Sequence, residues 1–198
     1  MKFHISFFLL LITGLSAQAF MSGSILFVEP SIGYRNETIK LTDKSNAESQ
    51  IKIGTPVYGL KIGYRTALAI DFNLAADYSS GKADMSPLVE KNNFSHKMIS
   101  AQLGINALGL MKIYLGYAFS NELQFEDGLL NLGYKLSGPA YIAGIQYRLF
   151  SSVFLGAQYN LNQFNSISGA QFTNGDKVDQ YFNKLDLQDY SFSLSTSF

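Results

Sequence analysis

The sequence predicts an all-β protein, an eight-stranded antiparallel up-and-down transmembrane β-barrel, from three observations. The first is the closing stretch "DYSFSLSTSF", where Tyr190, Phe192, Leu194 and Phe198 alternate with mostly hydroxyl-bearing side chains. Because side chains alternate between two faces only along an extended strand, this stretch separates two different environments. The second observation is that the pattern recurs along the chain, and the third is where its glycines lie.

Seven further runs with the same alternation precede the closing strand. Each is about ten residues long, which is the length that a tilted strand needs to cross a bilayer. A small closed barrel of this kind has an even number of strands. The predicted strands are residues 28–35, 57–65, 68–79, 96–107, 111–120, 139–149, 153–163 and 189–198.

The connections between these strands alternate in length. The second and third strands, the fourth and fifth, and the sixth and seventh are joined by short turns. The other connections are long and polar, and short turns at one end with long loops at the other are typical of outer-membrane barrels. The predicted long loops are residues 36–54, 80–95, 121–138 and 165–186.

Alternation alone also fits a soluble barrel in the periplasm with its apolar face inside, and the glycines favour the membrane interpretation. An eight-stranded barrel is so narrow that its interior needs small side chains beside large ones. The glycines should therefore mark the inner face. They all lie on the polar parity of their strands, at Gly33, Gly59, Gly63, Gly104, Gly116, Gly144 and Gly156.

The beginning of the chain has the layout of a secretory signal peptide. Residues 1–19 carry a Lys, an apolar run and an A-x-A site, so we expect a cleaved signal and a barrel domain over 20–198. The chain has no Cys, and its formal net charge is zero. Without a strongly basic face, a nucleic-acid partner is not expected.

This architecture, with the closing run "YSFSLSTSF", resembles the small Gram-negative outer-membrane barrels of the OmpA, OmpX and opacity-protein type. The resemblance implies a location in the cell outer membrane and contact with its lipids and lipopolysaccharide. It also implies that the last strand is read by the outer-membrane assembly machinery. The residues that match this signal are Tyr190, Phe192, Leu194 and Phe198.

The inward parity carries charges of both signs, which predicts a charge network in the lumen. Lys61 is expected near mid-depth, between Glu29 of the first strand and Asp71 of the third. The network would plug the barrel, and the alternative is a narrow ion path along the same charges. Its members are Glu29, Arg35, Lys61, Arg65, Asp71, Asp77, Lys112, Arg148 and Asp189.

His96 is the one candidate for catalysis. By parity it points inward near Asp77, Ser79 and Ser100, which suggests a nucleophile, base and orienting group. The spacing in "FSHKMIS" does not match lipid A deacylases, and nothing resembles the palmitoyltransferases, so we expect no enzyme. No metal or cofactor pattern appears.

The loops carry the remaining predictions. In the third, Asp127-Gly128 lies between alternating apolar runs, which predicts a protruding hairpin with one apolar face and a free edge. In the first, lysines and acids balance, which gives no sign of a polyanion-binding patch. The predicted function is a structural outer-membrane barrel whose loops bind a host or neighbouring-cell ligand; the alternatives are a narrow channel and a lipid A-modifying enzyme.

Overall fold

The protein is described here from a computed structural model, which covers residues 25–86, 90–107, 109–126, 133–169 and 172–198. The predicted signal peptide lies outside these residues. One antiparallel sheet of eleven segments contains nearly all of the described chain. The segments are β1 (Ile25–Asp43), β2 (Glu48–Arg65), β3 (Ile70–Ser86), β4 (Glu90–Ala107), β5 (Met111–Phe125), β6 (Tyr134–Ser137), β7 (Ala140–Arg148), β8 (Val153–Asn162), β9 (Ser166–Gly169), β10 (Phe172–Lys177) and β11 (Phe182–Thr196).

These segments make a closed barrel of eight antiparallel strands. Segments β1 to β5 are one strand each, whereas β6 with β7, β8 with β9, and β10 with β11 each form one strand that is interrupted. Pairing of β1 with β11 closes the barrel, with Ile32 opposite Leu194. At the closing seam, the backbone groups of Val28 and Phe198 exchange hydrogen bonds of 3.2 and 3.0 Å. The predicted eight-stranded barrel is confirmed.

The outer face of the lower barrel is a continuous band of exposed apolar and aromatic side chains, as lipid contact requires. Tyrosines mark its upper limit, at Tyr34, Tyr58, Tyr78 and Tyr190, and Tyr64 and Tyr147 lie toward its lower limit. Among the described residues, no helix is long and apolar enough to cross a membrane. We define the membrane-spanning segments as residues 26–34, 58–64, 72–78, 99–105, 113–119, 141–147, 155–161 and 190–194.

The strands continue far beyond this band, so the prediction of long polar loops is wrong in the described part of the chain. Segment β1 has 19 residues, whereas about 9–11 suffice to cross a bilayer. It pairs with β2 up to Thr42 opposite Glu48, and only residues 44–47 form the turn. The polar residues that suggested a loop belong to the part of this longer strand that lies beyond the apolar band. We call the strands above the tyrosines the outer extension.

The polarity of the barrel reverses in the outer extension. Inside the membrane-spanning part the apolar side chains face outward, but in the extension they face inward, and the outward positions are polar. This is the arrangement that water on the outside requires. The extension therefore has its own apolar core, which contains Ile39, Leu41, Ile51, Ile53, Ala83, Phe94, Leu123, Phe125, Leu136, Phe164, Ile167, Val178 and Leu187.

The third predicted loop contributes to this core and does not form a free ribbon. Leu123, Phe125 and Leu136 are buried inside the extension. Segment β6 is paired on one side with β5 and on the other with β9. The predicted free edge and exposed apolar face are therefore wrong for the described residues, because the apolar side chains turn into the barrel. The turn itself, residues 127–132, lies outside the described residues.

A β-bulge in β5 changes which residues face the lumen. Ser100 of β4 pairs with Ala118, but the preceding Ile99 pairs with Ser120, so Phe119 is the extra residue. An extra residue shifts the alternation by one position. Strict alternation along the fifth predicted strand, from Lys112 through Gly116, would place Ser120 inward, but the bulge gives this lumen position to Asn121, which is 1% exposed.

Candidate functional site in the barrel lumen

The structure places the predicted lumen charges on the inward face, and most of them lie in two layers, of which the lower is centred on Glu29 and Asp71. Asp71 accepts two hydrogen bonds from the Arg65 guanidinium, at 2.8 and 3.1 Å. Lys112 Nζ lies 3.0 Å from Asp71 Oδ2 and 3.9 Å from Glu29 Oε2. We call Glu29, Lys61, Arg65, Asp71 and Lys112 the lower cluster.

Lys61 occupies a less central position in the lower cluster than the sequence suggested. Its Nζ lies 3.9 Å from Glu29 Oε1, whereas Asp71 pairs with Lys112 and Arg65 instead. The ammonium also lies 4.2 Å from the centre of the Tyr114 ring. Such a cation–π contact partly replaces the water that a buried ammonium loses.

Arg148 and Asp77 lie in other parts of the lumen. The Arg148 guanidinium is 5.3 Å from the centre of the Phe154 ring. Asp77 lines the space below Arg35. The two residues are therefore not members of the lower cluster, although both lie on inward strand positions.

The upper layer is a closed circuit of polar side chains just above the membrane-spanning segments. His96 Nδ1 lies 2.6 Å from Glu37 Oε1, and His96 Nε2 lies 2.6 Å from Asn121 Oδ1. Asn121 donates to Asn162 at 2.8 Å, and Asn162 donates to Asp189 at 3.3 Å. Arg35 closes the circuit, with Nε 3.4 Å from Asp189 and 3.7 Å from Glu37. We call these residues the polar ring: Arg35, Glu37, His96, Asn121, Asn162 and Asp189.

The polar ring crosses the lumen. Glu37 lies on β1 and His96 on β4, and these strands are separated by β2 and β3 in the sheet. Glu37, His96 and Asp189 are fully buried, with 1%, 0% and 0% exposure. The ring therefore ties opposite walls of the barrel together directly beneath the apolar core of the outer extension.

The predicted catalytic neighbours of His96 do not contact its ring nitrogens. Both nitrogens are engaged by Glu37 and Asn121, so Ser79 and Ser100 are not activated by this histidine. Burial opposes a charged imidazole, but the Glu37 carboxylate outweighs burial and raises the pKa of His96 above its usual value. The arrangement is that of a buried ion pair.

The same carboxylates and imidazole lie close enough together to be considered as a metal site. Ligand atoms of Glu37, His96 and Asp189 lie within 4.8 Å of one another. The Arg35 guanidinium contacts both carboxylates, and its positive charge opposes a cation at this place. The geometry therefore favours an ion-pair network.

Little space remains between the two layers. A cavity of about 20 Å³ is lined by Arg35, Lys61, Tyr114 and Gln158, among others. This is close to the room that one water molecule needs, about 10–15 Å³. Tyr114 fills the lumen here and donates a 2.9 Å hydrogen bond to Gln158. The described lumen is therefore a packed interior.

Sequence reasoning missed three members of the polar ring. Glu37 was assigned to a loop, although the inward parity of Glu29 and Arg35 continues through it. Asn121 was hidden by the β-bulge at Phe119, which no local sequence signal marked. Asn162 lies on the inward parity of the seventh predicted strand and could have been found from it.

Comparison with solved structures supports the assignment of the fold. The attachment invasion locus protein Ail of Yersinia pestis is 14% identical and aligns over 90% of this chain and 100% of its own, with a TM-score of 0.57. A second Ail structure, in complex with the heparin analogue sucrose octasulfate, gives a TM-score of 0.56. The outer membrane protein AlkL, in DMPC bilayers, is 16% identical over 89% of this chain and 90% of its own, with a TM-score of 0.50.

The chain has the fold of the small outer-membrane barrels. No protein-family model and no curated protein sequence matches it. In this barrel, Tyr190, Phe192 and Leu194 point outward from β11 with 45%, 56% and 47% exposure. Phe198 is half-buried and lies at the closing seam.

Proposed function

We propose that this outer-membrane barrel has a structural role without enzymatic activity or conductance, and that it holds a rigid surface for adhesion or cell-surface interaction. The outer extension carries the proposal. Its strands are paired and enclose an apolar core, so its outward residues have fixed positions. A binding surface of this kind loses little conformational entropy when it meets a partner.

The packed lumen supports the absence of conductance. An ion that crossed the barrel would have to pass the lower cluster, the polar ring and then the apolar core. Each of these would need to open, since the space between the two charged layers holds about one water molecule. The second candidate function, a narrow channel, rests on the charges that line the lumen.

The absence of an enzyme is supported by the contacts of His96. A lipid A-modifying enzyme would need its catalytic groups accessible to a lipid substrate. His96 is fully buried within the polar ring, and both of its ring nitrogens are occupied.

We propose that the surface ligand is anionic. Four lysines are exposed on the wall made by β1 to β4, and they outnumber the described outward acids there, Glu48 and Asp84. The balance of charge in the sequence was misleading, because Glu37 lies inside the barrel and Asp43 folds onto its own turn. We call the four exposed lysines the basic wall: Lys40, Lys52, Lys82 and Lys97.

A sulfated or otherwise polyanionic glycan fits the basic wall. Ail, which has the same fold, was solved with a heparin analogue, which makes a sulfated glycan a reasonable first ligand to test. The lysines lie on adjacent strands, so an extended polyanion would meet several at once. We propose a host or neighbouring-cell glycan as the partner.

The outer-membrane lipids, including lipopolysaccharide, are proposed partners of the part of the barrel that lies closer to the membrane. Lys97 lies directly opposite Tyr78, which belongs to the upper limit of the apolar band. A lysine beside an interfacial tyrosine is placed for contact with lipid phosphate groups.

The outward residues Tyr190, Phe192 and Leu194 with Phe198 are the proposed signal for the assembly machinery. Through this machinery the barrel would reach the outer membrane after signal-peptide cleavage.

Binding of heparin to the refolded barrel in detergent micelles tests the ligand proposal. Lys52→Gln with Lys82→Gln should weaken binding at least tenfold and reduce its salt dependence. The matched control is Lys135→Gln with Lys177→Gln, which removes one half-buried and one exposed lysine from the other wall. Equal losses in both double variants, or no binding by the wild type at low salt, would refute an anion-binding wall.

A further inference from the structure

The hydrogen bonds of the polar ring have a fixed direction, which begins at Asp189. A carboxylate only accepts hydrogen bonds, so Asn162 must turn its amide nitrogen toward Asp189, at 3.3 Å. The amide oxygen of Asn162 then faces Asn121 and accepts from its nitrogen at 2.8 Å. The oxygen of Asn121 is consequently the atom that faces His96 Nε2.

His96 is therefore placed between two acceptors. The Asn121 oxygen at Nε2 requires a proton on that nitrogen, and the Glu37 carboxylate at Nδ1 requires a proton on the other. A neutral imidazole carries one proton and satisfies only one of these contacts. Both hydrogen bonds of His96 are made only when the imidazole is doubly protonated.

The charges of the polar ring also favour the doubly protonated form of His96. Arg35 and a protonated His96 balance Glu37 and Asp189, so the ring has no net charge. A neutral His96 would leave one uncompensated negative charge in a fully buried layer, which is costly. Among the other strands packed around His96, β3 presents Ser79 and, lower down, Asp77, while β5 and β8 present the amides of Asn121 and Asn162.

We propose that His96 is a proton-binding site that locks the outer extension onto the membrane-spanning barrel. With its proton bound, His96 ties β4 to β1 across the lumen and to β5 beside it. His96 lies opposite Leu123, a member of the apolar core, so the lock is at the base of the extension. Loss of the proton releases one of the two contacts and loosens that base.

The sign of the pH dependence follows from the proton count. The folded barrel binds the His96 proton more tightly than the unfolded chain does, so the lock contributes fully at pH values below the usual titration of histidine, about 6.5. The contribution is lost as the pH rises through the folded-state pKa of His96. We therefore expect the outer extension to loosen on the alkaline side.

The first experiment is ¹⁵N NMR of the histidine side chain in the refolded wild-type barrel, assigned with His96→Gln. Both ring nitrogens should carry a proton at pH 7. A ring nitrogen without a proton at pH 7 would overturn the proposal. This measurement needs no folded variant other than the one used for assignment.

A second measurement separates the proton lock from a general packing role. Asn162→Leu leaves His96 and Glu37 in place but frees Asn121 to turn its amide nitrogen toward His96. The His96 titration midpoint should then move by about one pH unit to lower pH, which corresponds to a tenfold weaker proton affinity. The control Asn160→Leu removes a different hydrogen bond to Asp189 and should shift the midpoint less. Equal shifts in the two variants would contradict the directional circuit.

Discussion

Lys112 of β5 and Asp71 of β3 form a 3.0 Å ion pair on the lumen side of β4, the strand that lies between them. Both side chains are almost completely buried, with 1% and 0% exposure. Removal of Asp71 would leave Lys112 with only the more distant Glu29, and removal of Lys112 would leave Asp71 with Arg65 alone. The pair therefore links three strands and makes each partner depend on the other.

Asp71→Asn is expected to lower the free energy of unfolding by about 3–5 kcal/mol, because Lys112 and Arg65 lose their shared carboxylate. Urea unfolding of the refolded barrel in lipid vesicles measures this loss. The double variant Asp71→Asn with Lys112→Met should recover part of it. A double variant whose loss equals the sum of the two single losses would show that the two residues are not coupled.

Lys61→Met is expected to weaken resistance to thermal unfolding, but by less than Lys112→Met does. Lys61 has one carboxylate partner at 3.9 Å, and Glu29 keeps Lys112 and the amide of Gln146 after the change. Heat modification followed by gel electrophoresis compares the two variants directly. An unchanged unfolding transition for Lys61→Met would show that Lys61 does not contribute to the stability that the lower cluster provides.

Gly144→Ala is expected to destabilise the barrel by about 1–3 kcal/mol through overpacking. A Cβ atom at Gly144 would overlap the Tyr114 ring, which fills the lumen at this level. Gly81→Ala is the matched control, because its nearest neighbour would be Thr55 Oγ1 at 3.0 Å, a side-chain atom at the barrel wall. Urea unfolding should show a clearly smaller loss for Gly81→Ala, and the reverse order would contradict the packed lumen.

Phe125→Ala is expected to loosen the outer extension while the membrane-spanning barrel stays folded. Phe125 is 1% exposed and packs on Tyr134 with ring centres 4.8 Å apart. Its truncation should cost the extension about 3–5 kcal/mol. Hydrogen exchange should increase in the upper parts of β5 and β6, whereas Gln124→Ala, an outward neighbour, should leave it unchanged. Faster exchange over the whole barrel would mean that the two parts are a single unit.

Acid is expected to loosen the turn at residues 44–47. Asp43 accepts hydrogen bonds from the Ser45 hydroxyl and from backbone groups of Ala47 and Ser45, which hold its pKa below the usual value. The stabilisation by this carboxylate is present above its unfolded pKa, about 3.9, and is lost as the pH falls through the lower folded value. In Asp43→Ala, the protection of the turn amides, measured as hydrogen exchange relative to the intrinsic rate at each pH, should no longer change with pH in this range.

The eight strands could be predicted because lipid enforces a strict alternation, for example at Tyr190, Phe192 and Leu194. The outer extension could not be read in the same way. Ile39 and Leu41 keep the inward parity of Arg35, but the polar residues at the outward positions beside them favour a loop when the sequence is considered alone. Recognition of the reversal of polarity would have extended the strands correctly.

The lumen charges could be predicted from parity, but their pairing could not. The acid that pairs with Lys112 depends on the stagger between strands and on the reach of the side chains around the barrel. Neither can be predicted from the sequence of a single strand. The β-bulge at Phe119 shifts the parity of β5, so Asn121 could be found only from the pairing with β4. The polar ring is therefore a result of tertiary structure.

Conductance of the refolded wild-type barrel in a planar bilayer tests the central claim most directly. Our account predicts a silent bilayer over the physiological voltage range, because the lower cluster, the polar ring and the apolar core close the lumen in series. Discrete openings that change in size or frequency with Lys61→Met would contradict it and would assign the lumen charges to ion transport.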